Sequence, residues 1–314
     1  MKKTKFLGID IGGTTVKAGI LEISGDKKPD FLKLGEVKFR KNPDELLSNL
    51  SNLVGRHLLN KISGAGIAVA GDTDTERGIV RFSPNFGWKN IPLKKIARRQ
   101  LGLSLITVEN DANAAAYGAY IFECGGGKYP DMVCLTLGTG VGGGIIIDGK
   151  LYRGATSSAG EFGHINYKED GVLCSCGSKG CFERYLGRDA ITERAIRIIR
   201  NYPAQKKRYS PDNLTPKIIS EAAGRKEKWA LLTWEETGRI LGILLSDIVN
   251  IFNPHAIVLA GGVSSGAGFF IKHARREMLR RTFKTSGYTV KIVVSRKPDI
   301  LGAAGAAALS ARLF

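Results

Sequence analysis

The sequence predicts an α/β protein with two domains. Its 314 residues exceed the ~100–200 residues of a typical single domain. Apolar runs typical of buried strands alternate with segments that have the period of amphipathic helices. A strand–glycine turn–strand pattern occurs twice, at 5–23 and at 132–149. We expect a small α/β domain at 1–112 plus 300–314 and a larger α/β domain at 113–299.

The first hairpin carries a glycine-rich turn. Short apolar runs on both sides of the turn predict its two strands. The turn contains Asp10, Gly12, Gly13 and Thr14. Successive backbone N–H groups in such a turn form a concave site for phosphate, and an aspartate beside it can hold Mg²⁺. An ordinary glycine hairpin explains the same residues equally well, so the turn alone does not decide between the two.

The second hairpin contains Gly138, Thr139, Gly140 and Gly143 after a predicted strand. The glycine spacing matches the G-x-G-x-x-G of dinucleotide-binding folds, which requires a helix next. β-branched residues follow at 145–147 instead, which argues against a dinucleotide fold. The pair of hairpins resembles the internal duplication of the actin-like/hexokinase (ribonuclease H-like) ATPase fold. That resemblance implies two domains around a cleft and two turns that hold nucleotide phosphates.

Between the hairpins, two strand ends carry polar candidates. The apolar run 66–70 predicts a buried strand that ends at Gly71. A third strand, at 105–108, leads into Asn110 and Asp111 and then into an alanine-rich helix at 114–123. A carboxylate at the carboxyl end of a parallel strand lies where α/β proteins bind ligands. Both residues are also good helix caps, and the two roles are compatible.

A predicted turn at 83–88 carries an amide and an aromatic side chain. These are Asn85 and Trp88, and we expect Trp88 to be packed in the protein. Helices are predicted from apolar periodicity and capping residues. They lie at 42–54, at 184–232 in two or three pieces, at 236–252 and at 301–309. The last of these is rich in small residues, which suits close packing on the first domain.

The segment 160–183 contains a complete set of ligands for one metal ion. One histidine and three cysteines match the closed tetrahedral coordination of structural zinc. The ligands are His164, Cys174, Cys176 and Cys181. Gly177 and Gly180 tolerate positive φ and would let the last two cysteines face one ion. A disulfide loop is the alternative, but three cysteines cannot all pair among themselves.

Two glutamates flank this proposed zinc loop. Glu161 and Glu183 would be fixed at its two edges. Carboxylates placed in this way suit a polyhydroxyl ligand, because each can accept two hydrogen bonds from hydroxyl groups. Further along, a strand at 255–260 ends in Gly261 and Gly262, where an adenine or ribose could approach the backbone closely.

Composition limits the classes of partner and compartment. The net charge of +18 could suggest nucleic acid. The basic residues are scattered, however, and no basic-aromatic module accompanies them, so we expect no nucleic-acid partner. Apolar runs stay below the ~18 residues of a membrane span, and the amino terminus lacks the pattern of a signal peptide. We therefore expect a cytoplasmic protein without a membrane partner, in which Cys124 and Cys134 are reduced thiols.

The zinc loop resembles the signature of the ROK family (repressors, open reading frames and sugar kinases). The matching residues are Glu161-x-Gly-His164 and Cys174-x-Cys-Gly-x-x-Gly-Cys-x-Glu183. The resemblance implies that His164 and the cysteines bind zinc while both glutamates and His164 contact a sugar. The Asn110–Asp111 stretch is similar to the family motif that carries the catalytic base. The turn at Asn85 is similar to a sugar-site loop, and the Gly71 backbone is a further sugar candidate.

The resemblance spans the chain from Asp10 to the last helix. It implies a glucokinase-like, ATP-dependent hexose kinase with Asp111 as general base and with ATP, Mg²⁺ and Zn²⁺ as cofactors. Glucose is the expected hexose, and a homodimer or homotetramer is the expected assembly. An N-acetylmannosamine or N-acetylglucosamine kinase is an alternative. A sugar-sensing regulator is another, although the nine residues before Asp10 leave no room for a DNA-binding domain.

Overall fold

The computed structural model describes residues 3–13, 15–25, 28–38, 41–211 and 213–312. The chain forms two compact units. The first unit comprises Met1–Cys134, Gly144–Gly160 and Arg296–Phe314, and the second comprises Leu135–Gly143 and Glu161–Ser295.

The described chain contains both strands and helices, as the sequence predicts. The strands are β1 Thr4–Ile11, β2 Thr15–Ile23, β3 Asp30–Lys38, β4 Gly64–Val69, β5 Asp72–Asp74, β6 Ile79–Ser83, β7 Trp88–Ile91, β8 Ile106–Asn110, β9 Met132–Leu137, β10 Val141–Ile147, β11 Lys150–Tyr152, β12 Ala256–Ala260 and β13 Lys291–Val294. The α-helices are α1 Pro43–Val54, α2 Arg56–Leu59, α3 Leu93–Leu101, α4 Asp111–Gly118, α5 Glu183–Leu186, α6 Arg188–Ile199, α7 Pro203–Arg208, α8 Pro216–Gly224, α9 Lys228–Phe252, α10 Ala267–Arg281, α11 Lys284–Thr289 and α12 Leu301–Ser310. A π-helical turn at Ala119–Glu123 extends α4, and 3₁₀ turns occur at Phe162–His164 and Gly262–Gly266.

The first unit is built on a five-stranded sheet with the order β3-β2-β1-β4-β8. β1 pairs antiparallel with β2, whereas β1, β4 and β8 are mutually parallel. The carboxyl ends of these three strands therefore lie at one edge of the sheet, where α/β proteins bind ligands. The turn after β1, Gly71 after β4 and Asp111 after β8 all emerge at this edge.

One face of this sheet is covered by α1 and α3. Asn42 caps α1 as predicted, since its side chain accepts hydrogen bonds from the backbone N–H groups of Asp44 and Glu45. The apolar face of the helix, including Leu46 and Leu50, joins one hydrophobic core with Ile9 of β1. Burial of such side chains is the main source of stability for the sheet.

The opposite face of the sheet is covered by α12. Gly8 of β1 and Gly66 of β4 leave room for this helix. A Cβ atom would lie 2.0 Å from the carbonyl oxygen of Ala303 at the first position and 1.8 Å from that of Ala306 at the second. Such distances exclude any side chain, so the helix backbone packs directly on the strands. The small-residue helix predicted at 301–309 therefore does pack on the first unit.

A second five-stranded sheet has the order β11-β10-β9-β12-β13. β9 and β10 are neighbours in this sheet and are joined by the turn at 138–140. β1 and β2 form the corresponding hairpin of the first sheet, with antiparallel pairing. Both strand–glycine turn–strand predictions are thus confirmed.

Several elements differ from the prediction. The chain between Gly71 and Leu93 forms a small antiparallel sheet of β5, β6 and β7, where the sequence predicts only a loop and a turn. The turn itself joins β6 to β7, and Trp88 is 4% exposed, as its predicted packing requires. Four helices occupy the region predicted to hold two or three before 232, and α9 begins at Lys228 rather than at 236. Glu227 is the N-cap of α9, and its carbonyl oxygen accepts hydrogen bonds from the N–H groups of Ala230 and Leu231.

The first unit extends beyond the domain boundary predicted at 112. The reason is that α4 packs against α12 through small residues. A Cβ atom at Gly305 would lie 1.8 Å from the carbonyl oxygen of Ala114, and one at Gly118 would lie 2.3 Å from that of Leu301. Helix α4 is therefore part of the first unit rather than the start of the second.

Candidate active site

In the first unit, Asn110 and Asp111 mark the change from β8 to α4. Asn110 is the N-cap of α4, and its side-chain oxygen accepts hydrogen bonds from the N–H groups of Ala112 and Asn113 at 2.9 and 3.1 Å. The Asn110 amide also donates to the carbonyl oxygen of Gly71 at 3.2 Å. This bond ties the end of β8 to the end of β4. The helix cap therefore belongs to Asn110, which leaves Asp111 for another role.

Asp111 is the first residue of α4. Its carboxylate accepts one hydrogen bond from the N–H of Ala112 at 3.0 Å. Burial raises the pKa of Asp111, and hydrogen bonds from the helix start oppose the shift only in part. A carboxylate with a raised pKa is a stronger proton acceptor than an ordinary aspartate. The environment of Asp111 thus fits a general base.

Asp10 is a second half-buried acid of the first unit. Burial, together with the negative charge of Asp111, raises the pKa of Asp10 to about 6, although Lys17 lowers it somewhat. The start of α12 lies close, because a Cβ atom at Gly302 would be 2.8 Å from the Asp10 carboxylate. A cation would offset the burial and the negative charge of Asp111 that both disfavour ionised Asp10, so the chemistry of Asp10 fits Mg²⁺.

The substitution Asp10→Asn should stabilise the protein at neutral pH in buffer without Mg²⁺. The pKa of an unfolded aspartate is ~3.9, so the ionised carboxylate destabilises the folded state increasingly as the pH rises from ~4 to ~6. Above that range the cost is about 3 kcal/mol. We expect a higher thermal midpoint for the variant at pH 7.5 and no difference near pH 4. Adding Mg²⁺ should stabilise the wild type alone; equal effects on both proteins would contradict the assignment of Asp10.

The sequence does not indicate an ion pair next to this site between a buried glutamate and a half-buried arginine. The Glu109 side chain is 4% exposed and accepts a hydrogen bond from Nε of Arg153 at 2.7 Å. Its other oxygen accepts hydrogen bonds from the backbone N–H of Asn110 and from the side-chain amide of Asn113. Glu109 thus connects the loop after β11 to the first turn of α4. The pairing joins positions 44 residues apart, and no local pattern in the sequence indicates it.

Removing Arg153 should destabilise the first unit more than removing an exposed arginine. Arg153→Met would leave the Glu109 charge buried without its partner, which costs about 3 kcal/mol. Arg99 is the matched control, because its ion pair with Asp44 is mostly exposed and such pairs contribute below about 1 kcal/mol. Urea unfolding of both variants would test this, and equal midpoints for Arg153→Met and Arg99→Met would contradict it.

The two other predicted sugar ligands of the first unit, Gly71 and Asn85, lie in different environments. Gly71 has φ 128°, and a Cβ atom there would lie 2.5 Å from the carbonyl oxygen of Phe82, so the position requires glycine. Asn85 is exposed in the turn between β6 and β7. The structure therefore brings Gly71 and Asn110 together and places Asn85 on a surface turn.

The turn after β1 is the first predicted phosphate turn. Thr14 lies outside the described residues, whereas Gly12 donates its N–H to the carbonyl oxygen of Thr15 in this turn.

In the second unit, the predicted zinc ligands lie together. The ligand atoms of the four residues are all within 4.8 Å of one another. Sγ of Cys176 lies 3.6 Å from Sγ of Cys181, and Nδ1 of His164 lies 3.7 Å from Sγ of Cys174. Zn–S bonds of ~2.3 Å in a tetrahedron place the sulfur atoms about 3.8 Å apart. The cluster is thus compatible with one tetrahedral zinc ion bound by His164, Cys174, Cys176 and Cys181.

The backbone of the zinc loop explains how the ligands converge. Gly177 and Gly180 have φ values of 93° and 74°, as the sequence predicts for residues that reverse the chain here. A Cβ atom at Gly180 would lie 1.7 Å from the carbonyl oxygen of Lys168. The N–H of Ser178 lowers the pKa of Cys176 to about 7, which favours the thiolate that a metal requires.

His164 links the metal cluster to a candidate sugar ligand. Its Nδ1 faces the thiols, whereas its Nε2 lies 3.9 Å from a carboxylate oxygen of Glu161. A histidine that binds metal through one nitrogen keeps the other for a hydrogen bond, and this fixes the orientation of the ring. The structure therefore brings Glu161 beside the zinc ligands, as predicted.

Glu183 contacts the glycine turn between β9 and β10. Its Oε2 accepts a hydrogen bond from the backbone N–H of Val141 at 3.0 Å. Within the turn, the N–H of Gly138 donates to the carbonyl oxygen of Gly140 at 3.0 Å, with Thr139 at the tip. The predicted phosphate turn and one predicted sugar ligand are thus in direct contact within the second unit.

Gly261 and Gly262 follow β12, as predicted. Gly261 has φ 86°, and a Cβ atom there would lie 2.4 Å from the carbonyl oxygen of Leu137 at the end of β9. A Cβ atom at Gly262 would meet no atom within 4 Å, so the space beside this backbone is open. A 3₁₀ turn starts at Gly262 and leads into α10. The first backbone N–H groups of a helical segment have no partner within it, so they can donate to a polar ligand.

The fold is the two-unit α/β fold of ROK sugar kinases, with a loop whose ligands are compatible with zinc. The chain belongs to the ROK family, which it matches over residues 6–312. A glucokinase from Streptomyces coelicolor is 34% identical over 310 residues, covering 95% of this chain and 96% of that protein. A xylose repressor from Caldicellulosiruptor bescii is 32% identical over 305 residues, covering 93% of this chain and 74% of the repressor.

Solved structures support the same assignment of the fold. The structure of a ROK family glucokinase from Streptomyces griseus, in complex with glucose and AMPPNP, superimposes with a TM-score of 0.83. It is 34% identical and the match covers 98% of this chain and all of that one. The described part of our chain contains no helix long and apolar enough to cross a bilayer.

Proposed function

We propose that this protein is an ATP-dependent hexose kinase that converts glucose to glucose 6-phosphate. The observation that supports this most strongly is Asp111, an acid at the carboxyl end of a parallel strand whose pKa is raised by burial. It occurs in a chain that is 34% identical to a glucokinase solved with glucose and AMPPNP. Sugar phosphorylation by that class of protein needs a base of this kind.

In this proposal, Asp111 accepts the proton of the sugar hydroxyl at C6 while the hydroxyl oxygen attacks the γ-phosphorus. The bond from that phosphorus to the bridging oxygen breaks, and ADP leaves with the electron pair. Hydroxyl groups of the sugar are bound by Asn110, by the Gly71 backbone and Asn85, and by Glu161, His164 and Glu183. Charge and orientation, rather than covalent chemistry, supply most of the rate enhancement in phosphoryl transfer.

The phosphates are bound by backbone N–H groups of the two glycine turns. The proposed phosphate residues are Gly12, Gly13 and Thr14 after β1 and Gly138, Thr139 and Gly140 after β9. Because the N–H groups of Gly12 and Gly138 donate within their own turns, the proposed phosphate donors include those of Gly13, Thr139 and Gly140. Asp10 would hold Mg²⁺, which supplies charge neutralisation at the phosphates when it is bound. The adenosine is proposed to bind beside Gly261 and Gly262, and the open space next to the Gly262 backbone supports this position.

A coupled assay over a panel of sugars tests the proposal. The panel should contain glucose, mannose, fructose, xylose, N-acetylglucosamine and N-acetylmannosamine, with ATP or polyphosphate as the donor. We expect the highest kcat/KM with glucose and ATP. A preference for an acetylated amino sugar would establish the alternative kinase activity, and no turnover with any sugar would contradict the kinase proposal.

The pH profile of kcat/KM should have its acid limb above the ordinary aspartate value. The profile reports the pKa values of the free protein, and Asp111 must be ionised to accept a proton. Because burial raises the pKa of Asp111, activity should be lost as the pH falls through a value higher than ~3.9. An activity that persists unchanged down to pH 4 would contradict Asp111 as the base.

A sugar-sensing regulator is the second candidate. The 32% identity with a xylose repressor favours it, since that match also covers most of this chain. A regulator would bind sugar without turning it over. Isothermal titration with glucose and xylose, beside the coupled assay, separates the two: sugar binding with no ADP formation would favour the regulator.

A further inference from the structure

The glycine turn at 138–140 is held from one side by α5 and the start of α6. The backbone N–H of Arg188 donates to the carbonyl oxygen of Gly138 at 2.8 Å. A Cβ atom at Gly187 would lie 2.8 Å from the carbonyl oxygen of Thr139, so the two backbones touch. All of these residues belong to the second unit. The turn proposed to bind phosphate is thus fixed at its first two residues by backbone contacts alone.

The third residue of the turn is fixed by a side chain instead. Glu183 accepts the N–H of Val141, the residue that follows Gly140. A Cβ atom at Gly140 would lie 2.2 Å from Oε2 of Glu183, so the carboxylate occupies the space that a side chain would fill. Because a carboxylate has two oxygens, the other one can accept a hydroxyl of the proposed sugar. One carboxylate can therefore contact the sugar and the phosphate turn together.

The backbone that carries Glu183 is itself anchored. The buried Arg194 donates to the carbonyl oxygen of Tyr185 at 2.7 Å and to the hydroxyl of Thr237 at 2.8 Å. On the other side of Glu183, the N–H of Phe182 donates to the carbonyl oxygen of Ile165 at 3.0 Å. Since the main chain cannot follow a shift of the turn, only rotation of the Glu183 side chain can make or break its bond to Val141.

We propose that Glu183 is a positioning residue that couples sugar binding to nucleotide binding. A bound sugar hydroxyl fixes the rotation of the carboxylate, which keeps Oε2 on the N–H of Val141 and the turn in its phosphate-binding conformation. Without sugar, the carboxylate can rotate and release the turn. Sugar and nucleotide then bind with positive cooperativity, and the effect must be reciprocal. This inference rests on the proposed function, because it takes Glu183 as a sugar ligand.

Isothermal titration calorimetry with AMPPNP, glucose and Mg²⁺ tests the inference. For the wild type, we expect saturating glucose to tighten AMPPNP binding by about 10-fold, and saturating AMPPNP to tighten glucose binding by the same factor. Glu183→Ala should bind AMPPNP no more tightly than the wild type does without glucose, and saturating glucose should no longer tighten that binding. Glu161→Gln is the matched control. It should weaken glucose binding, but saturating glucose should still tighten AMPPNP binding by the wild-type factor.

Gly140→Ala supplies an independent variant if Glu183→Ala fails to fold. Gly140 has no positive φ, and the nearest atoms to an added Cβ belong to the flexible end of Glu183, so alanine should displace the carboxylate and spare the backbone. The coupling factor should again fall to about one. The coupling proposal would be overturned if glucose did not change the AMPPNP affinity of the wild type. It would also be overturned if the folded variants kept the wild-type coupling factor. If wild-type protein binds neither ligand, the proposed function fails instead.

Discussion

Asp111→Asn should abolish sugar phosphorylation while sugar binding survives. Asparagine has the same shape and can still accept the Ala112 N–H, but it cannot take a proton from the attacking hydroxyl. We expect kcat to fall by about 10²–10⁴-fold, the range for loss of a general base. Initial rates in the coupled assay and the glucose dissociation constant from calorimetry measure the two effects separately.

Structure and charge both indicate that this variant will fold. Asn110, not Asp111, caps α4, and removal of an acid whose pKa is raised by burial relieves an unfavourable charge. Asp44→Asn is the matched control, since Asp44 is also an acid in the first turn of a helix of the same unit. Its kcat should match that of the wild type. Near-normal turnover in Asp111→Asn would show that another group accepts the proton.

Loss of one zinc ligand should weaken both metal and sugar binding. Cys176 is the best position to change, because it is the exposed cysteine of the cluster and serine there costs little packing. We expect Cys176→Ser to lose most of its zinc by elemental analysis and to bind glucose more than about 10-fold more weakly. The reason is that the loop would no longer fix His164 and Glu161.

Cys124→Ser is the control for general effects of losing a thiol. Cys124 is a free, buried cysteine outside the cluster, so this variant should keep one zinc ion per chain and wild-type glucose affinity. Zinc-free protein that binds glucose as tightly as the wild type would argue against a role of the metal in the sugar site. If purified wild-type protein contained no zinc, this would argue against a zinc ion in the cluster.

The zinc loop and the cap of α4 could be predicted because their information is local. All four metal ligands, together with Gly177 and Gly180, lie within 160–183, and the residue types alone define the coordination chemistry. Asn110 needs only its own backbone and the next turn of helix to act as a cap. Patterns of this kind are readable from a short stretch of sequence.

Contacts between distant parts of the chain could not be predicted in the same way. The Glu109–Arg153 and Glu183–Val141 bonds join residues 44 and 42 positions apart, and the chosen partner depends on the assembled sheet. The strands β5 to β7 were missed because they are short, and β5 consists of polar residues without an apolar alternation. Helix α9 was started too late because its first turns contain tryptophan and threonine, which are weak helix formers.

The close contact of α12 with β1 and β4 joins the last helix of the described chain to its first and fourth strands. A ribosome would therefore release the whole of the second unit before the face of the first sheet at Gly8 and Gly66 could be covered. Until then, that face would remain open to chaperones or to wrong partners. Late closure by a distant segment makes the amino-terminal half of the nascent chain the part most exposed to aggregation.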